Sequence, residues 1–241
     1  MNTSRFFSQA LAALTLPLLS MASAEAAVAY YTSGHADLGV AYEDGAFNFH
    51  FHGEGAVIDG VEVGDREYAA SDIIIHGGVA ATVVLPEGFV LPGLGRSAGD
   101  TVWILPWNQE EGLPFLGTAS EELNPADWIG GITFTLGNVT SPSGNGEFAL
   151  WRYTPFGEVA QDLSTVTGPN SVITSTGSHD HFNWGFTEPG LWEVELTASG
   201  QHATDGLISA TETFRFQIVP EPSTALLGGL GILGLFARRR R

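Results

Sequence analysis

The chain predicts an all-β protein. The expected fold is an antiparallel two-sheet β-sandwich of the immunoglobulin-like kind, with a signal peptide before it and an apolar sorting helix after it. Three observations carry this. Short runs of alternating polar and apolar residues fill the middle of the chain, broken by Gly, Pro, Asn and Asp. No stretch there sustains a 3.6-residue apolar period with caps. Ser178–Leu196 sets large aromatics on one strand face, which demands a second layer to bury them.

Composition narrows the class. A chain of 241 residues buries a sufficient core without staples. The absence of cysteine removes disulfides and thiolate metal sites. There is no lysine, and the 9 basic residues are all arginine. Arg5 and Arg238–Arg241 sit at the two ends, so the body keeps only Arg66, Arg96, Arg152 and Arg215. The formal net charge is −18. Such a surface repels nucleic acid and anionic membranes, attracts cations, and keeps an exported protein soluble.

Residues 1–24 read as a signal peptide for signal peptidase. Arg5 supplies the positive start, Ala10–Leu19 the apolar run, and Ala22-Ser23-Ala24 a small-x-small cleavage site. A β-sandwich domain over residues 27–218 follows. In His35–Tyr42, Leu38, Val40 and Tyr42 share a face, and Asp44-Gly45 is a two-residue hairpin signal. The return strand sets Phe47, Phe49 and Phe51 against Asn48, His50 and His52. Further strands are expected at Ile73–Ile75, Ala81–Leu85, Val102–Leu105, Ile132–Leu136 and Glu147–Trp151, with a turn of helix near Asn124–Trp128.

Ser178–Leu196 reads as a buried hairpin turning at Glu188-Pro189-Gly190. Its first strand sets His179, His181 and Asn183 on one face, and Asp180, Phe182, Trp184 and Phe186 on the other. On the return, Trp192, Val194 and Leu196 share a face. The last strand is Ala210–Val219.

Residues 219–241 close the chain. Val219-Pro220-Glu221-Pro222 precedes the apolar stretch Thr224–Ala237 and four arginines. The stretch is short for a permanent span of about 20 residues, and the arginines would stay cytoplasmic. This tail resembles the PEP-CTERM sorting signal of Gram-negative bacteria. The resemblance implies transient anchoring in the inner membrane, processing by an exosortase near the Pro-Glu-Pro, and delivery to the cell surface or an exopolysaccharide matrix.

The body resembles the choice-of-anchor M domain of surface-anchored bacterial proteins. The resemblance lies in His35-Ala36-Asp37-Leu38, Gly99–Pro106, Leu116-Gly117-Thr118, Phe148–Trp151 and His179–Phe186 with Pro189-Gly190. It brings no settled activity. Related domains accompany metal-uptake transporters, which favours a metal.

Two short motifs carry nothing. Gly95-Arg96-Ser97-Ala98-Gly99 fits a hydrolase pattern that works only between a strand and a helix, and here another strand follows. Asn138-Val139-Thr140 is a chance glycosylation match. The acid pairs Glu110/Glu111 and Glu121/Glu122 read as polar loops.

The histidines carry the chemistry. Strand side chains at i and i+2 share a face about 7 Å apart, a span one metal can bridge. His179/His181 form one such pair, and His35 with Asp37 repeat the geometry. First and late strands of a sandwich can be neighbours, so His35, Asp37, His179 and His181 are expected to meet on one ion, with Asn183 beside it. His50/His52, next to a hairpin turn, carry less weight. Histidines with one carboxylate suit Zn or another divalent transition metal rather than Ca. The alternative for all of them is a solvated or hydrogen-bonded polar seam. No catalytic residue is assigned. The leading reading is a non-enzymatic, exported module of the cell surface or matrix that binds a divalent metal. The alternatives are a metal-dependent hydrolase of matrix polysaccharide and a purely structural matrix protein.

Overall fold

The computed structural model describes residues 27–220. The signal peptide and nearly all of the sorting tail lie outside that range. The chain opens with two long strands, β1 (Ala29–Glu43) and β2 (Ala46–Ile58), folded back at Asp44-Gly45. Both turn residues take left-handed backbone, φ 50° and 86°, as this tight turn requires. Short strands follow: β3 (Val61–Glu62), β4 (Arg66–Tyr68), β5 (Ile73–Gly77), β6 (Thr82–Val84), β7 (Val90–Leu91), β8 (Arg96–Ser97), β9 (Thr101–Leu105) and β10 (Pro114–Ala119). Next come β11 (Trp128–Thr140), β12 (Phe148–Tyr153), β13 (Val159–Ser164), β14 (Ser171–Thr174), β15 (His179–His181) and β16 (Asn183–Phe186). The hairpin of β17 (Gly190–His202) and β18 (Gly206–Ile218) ends the fold. Helix is confined, among the described residues, to 3-10 turns. One of them, Pro125–Asp127, is capped by the Asn124 side chain, which accepts from the Ala126 N–H at 3.2 Å.

The strands form an 11-stranded sheet, a 5-stranded sheet and a two-stranded ribbon. The large sheet runs β14-β11-β17-β18-β5-β1-β10-β15, with β2 beside β1 and β3 and β4 beside β2. The smaller sheet runs β13-β12-β16-β9-β6, and β7 pairs β8. Their apolar faces meet. Trp184 and Phe186 of the smaller sheet pack on Phe216 of the large one, ring centroids 5.6 and 5.2 Å apart.

Two expectations are corrected. The ladder is not purely antiparallel: β1 runs parallel to both β10 and β5, and β5 runs parallel to β18. Alternation shows which face of a strand is buried and says nothing about its neighbours. The hairpin at Ser178–Leu196 does not exist as a pair. β16 pairs β12 and β9 in the smaller sheet, while β17 pairs β11 and β18 in the large one. The two segments instead face each other across the core, with Phe186 and Trp192 ring centroids 5.3 Å apart. Pairing and facing both bury the same apolar sides, so the pattern cannot separate them. The buried set is as read: Phe182, Trp184, Phe186, Trp192, Val194 and Leu196 are all fully buried.

β1 is irregular just before the site. Tyr31 and Leu38 are both fully buried, although they lie an odd number of positions apart. A regular strand would turn one of them outward. The β1–β2 register slips between Tyr31 and Ser33 and again between Gly34 and Ala36. Gly34 takes left-handed backbone (φ 84°), and a Cβ there would lie 2.2 Å from the Gly55 carbonyl oxygen. The slip brings Tyr31 onto the buried face with Leu38 and Val40, while ordinary alternation sets His35 and Asp37 on the opposite face.

Candidate metal centre

β10 is the hinge of the site. It lies between β1 and β15, with Asp37 opposite Gly117 on one side and His181 opposite Gly117 on the other. First and late strands are therefore not direct neighbours, as the sequence suggested; a strand stands between them. Its central residue has no side chain. A Cβ on Gly117 would lie 2.2 Å from Asp37 Oδ1 and 3.1 Å from His181 Cε1. The missing atom lets side chains from both flanking strands close over the middle one.

They do close. His35 Nε2 lies 3.1 Å from His181 Nε2 and 3.3 Å from Asp37 Oδ2. His181 Nε2 lies 3.9 Å from Asp37 Oδ1. His179 joins at the rim, its ring 5.3 Å from that of His35 and 5.1 Å from that of His181. One ligand atom from each of His35, His179 and His181 falls within 4.8 Å of the others. Asp37, His179 and Glu121 satisfy the same test. The structure thus brings His35, Asp37, His179 and His181 together.

Two of the three rings are held from outside. Phe115 of β10 stacks on His181, centroids 3.6 Å apart and planes 10° from parallel. Glu121 accepts from His179 Nδ1 at 2.7 Å, so the neutral ring carries its lone pair on Nε2. A carboxylate behind a histidine is the usual support of a metal ligand. The cup deepens from an exposed rim at His179 and Glu121 to Asp37, 3 % exposed, at its floor.

The floor is electrostatically unfinished. Asp37 Oδ1 and His181 Nδ1 are buried without a hydrogen-bond partner. Burial, with His35 and His179 nearby, holds His181 down at about 3. Burial also lowers His35. Both rings thus present neutral nitrogen lone pairs at neutral pH. Burial raises Asp37 to about 7. His179 shifts up because Asp37 and Glu121 outweigh its own burial. Neutral imidazoles around a buried carboxylate that resists charging describe a site lacking positive charge.

Asn183 stands apart from this group. It lies on β16, its amide donates to the Trp151 carbonyl at 3.2 Å, and its oxygen accepts from the Trp107 N–H at 3.2 Å. Both ends of the amide are committed to the smaller sheet. Asp180, the one acid on the aromatic face, lies 3.6 Å from Arg152, whose guanidinium sits 4.9 Å over the Phe182 ring. The hydrolase-like segment at Gly95–Gly99 forms one side of the β7–β8 ribbon and its turn, with Ser97 exposed and no helix after it.

Sequence reasoning missed Gly117, Phe115 and Glu121. Glu121 looked like one of a pair of loop acids. Its signal was position, just beyond the end of a strand whose neighbours carry histidines.

The PEP-CTERM protein-sorting motif matches residues 219–241. No curated protein and no solved structure matches the chain. The motif marks an exported protein that is sorted to the cell surface and processed by an exosortase. Of the matched residues, Val219 and Pro220 are described. Val219 donates to the Gly77 carbonyl at 2.9 Å, so the fold leads directly into the motif. Among the described residues no helix is long and apolar enough to cross a membrane. The apolar stretch Thr224–Ala237 lies outside them.

Proposed function

We propose that the body is a non-enzymatic exported module holding one divalent transition-metal ion, zinc or a metal of similar preference, between His35, His179, His181 and Asp37. Spacing is the observation that carries this. An ion bound tetrahedrally at about 2.0–2.1 Å sets its ligand atoms about 3.3 Å apart. The His35–His181 and His35–Asp37 separations are 3.1 and 3.3 Å. Nitrogen and carboxylate donors without thiolate suit Zn, Mn, Fe or Ni over Ca. Four protein ligands fill a tetrahedron, whereas a hydrolytic zinc keeps one position open. This favours a holding site over the hydrolase reading.

Native mass spectrometry tests it. The full chain, purified in mild detergent and stripped with chelator, should take up zinc and melt at a higher temperature. The His35→Ala, His181→Ala double variant should carry one zinc fewer. A variant that binds as much zinc as the parent defeats the reading.

The tail supports a proposed life history. Signal peptidase removes residues 1–24, the exosortase cuts near Pro220–Pro222, and the body, of choice-of-anchor M type, remains at the surface or in an exopolysaccharide matrix. Intact mass of the surface form should give a start near Glu25 or Ala27 and an end near Pro220 to Pro222. Retention of Arg238–Arg241 would overturn the processing scheme.

A further inference from the structure

The same sheet face carries a second histidine cluster, and it repeats the construction of the first. In the β1–β2 pair, His52 stands opposite Asp37 and His50 opposite Gly39. His50 and His52 therefore project to the side that carries His35 and Asp37. Glu122 closes over them from the loop after β10. Its Oε1 lies 3.1 Å from His50 Nε2 and 3.7 Å from His52 Nδ1. One ligand atom from each of the three residues falls within 4.8 Å of the others.

Both rings are oriented from behind. His50 Nδ1 lies 3.3 Å from the Asn48 carbonyl oxygen, and His52 Nε2 lies 2.8 Å from Asp65 Oδ1. With each outer nitrogen donating, the neutral form of each ring turns its inner lone pair toward the Glu122 carboxylate. Lone pairs aimed at a carboxylate repel unless a cation stands between them, either a second proton on the ring or a metal ion. Burial lowers His52, but Asp65 and Glu122 outweigh it and raise it above its ordinary value. His50 makes this more than a surface pairing. It is 2 % exposed, and its buried Nε2, although 3.1 Å from Glu122 Oε1, makes no hydrogen bond to it or to any other group. The glycine opposite leaves the space beside that nitrogen open, since a Cβ on Gly39 would lie 3.6 Å from it.

We infer that His50, His52 and Glu122 form a second divalent-metal site, separate from the first and joined to it through the adjacent acids Glu121 and Glu122. Two imidazoles and one carboxylate select a zinc-like ion over calcium or magnesium. Three protein ligands leave a coordination position open, unlike the four of the first site. This site stands on its own geometry and holds whether or not the first does.

The test counts zinc on the chelator-stripped full chain by native mass spectrometry, with excess magnesium present to occupy the acidic surface. The parent should bind two zinc ions. Glu122→Gln, a change on the loop that spares the buried histidine, should bind one. His50→Gln with His52→Gln should also bind one, with circular dichroism confirming the fold. A second readout is cobalt substitution: the parent's visible absorption should lose the component contributed by this site in Glu122→Gln. The inference is overturned if Glu122→Gln binds as many zinc ions as the parent and its cobalt spectrum is unchanged. Loss of an ion in Glu122→Gln, with none lost in His35→Ala, His181→Ala, upholds this site while removing the first.

Discussion

Leu38 and Leu116 project from one side of β1 and β10 and are fully buried. His35 and Asp37 project from the other side of β1 and meet His181 over Gly117. On the inner side the polar groups at β10 find partners. Trp184 Nε1 donates to the Leu116 carbonyl at 2.9 Å, and the Thr118 and Thr174 hydroxyls pair at 2.8 Å. On the outer side Asp37 Oδ1 and His181 Nδ1 are buried without any. A buried unpaired polar group costs about 1–3 kcal/mol, more if charged. The same strands therefore stabilise the protein with one face and spend stability on the other. A face that costs stability and gathers ligand atoms is a face arranged for a ligand.

The largest expected effect sharpens the inner half of that contrast. Trp184→Ala removes a fully buried indole and its hydrogen bond, and should cost about 3–5 kcal/mol in urea unfolding. A loss below about 1 kcal/mol would mean the inner face is not what holds the fold.

Gly117→Ala tests the outer face. The added methyl would lie 2.2 Å from Asp37 Oδ1 and 2.7 Å from the Asp180 carbonyl oxygen. It should cost about 1–3 kcal/mol through overpacking and should abolish the zinc-dependent rise in Tm. An unchanged zinc response would break the link between the open glycine and the cup.

Asp37→Asn should act in the opposite direction. It removes the buried carboxylate, so the metal-free protein should gain about 1–3 kcal/mol while its zinc response falls away. Asp37 sits near 7, against about 3.9 in an unfolded chain. Between those values the native state holds a proton that the unfolded chain has released. Asp37 thus lowers stability as pH rises from about 4 to about 7. His181, held at about 3, acts in the reverse sense up to about 6.5, because there the unfolded chain binds the extra proton. The variant removes the first effect and also Asp37's lift on His179, a contribution the parent loses as pH rises, and it leaves the His181 effect. Its advantage over the parent should therefore grow from pH 4 to above pH 7. Thermal melts across that range check it. A variant less stable than the parent at pH 8 would show that the carboxylate is satisfied after all.

Glu121→Gln should have the smallest effect on folding. Its pairing with His179 is solvent-exposed, and the metal-free protein should change by less than about 1 kcal/mol. Zinc affinity by calorimetry should nevertheless fall about 10–100-fold, since the carboxylate orients a ligand. Equal affinity would leave His179 a bystander at the rim.

The amino-acid sequence by itself determined many of the strands, their inward faces and the tail, but not β10, β13 or β14, whose short runs lack a clear alternation. Phe47, Phe49 and Phe51 alternate with Asn48, His50 and His52, and a strand allows that pattern only one division into faces. Asp44-Gly45 closes its hairpin because both residues tolerate positive φ. These are properties of a few consecutive residues. The tertiary structure alone decided what each strand stands beside. It set β10 between β1 and β15, sent β16 and β17 to opposite sheets, and brought Glu121 and Glu122 over two histidine pairs. Gly117 matters only because Asp37 and His181 flank it from strands distant in sequence. Side-chain alternation has a period of two whatever the partner strand, so it carries no information about pairing. Which pairings form depends on how the whole apolar surface can be covered at once, and that is a property of the folded chain.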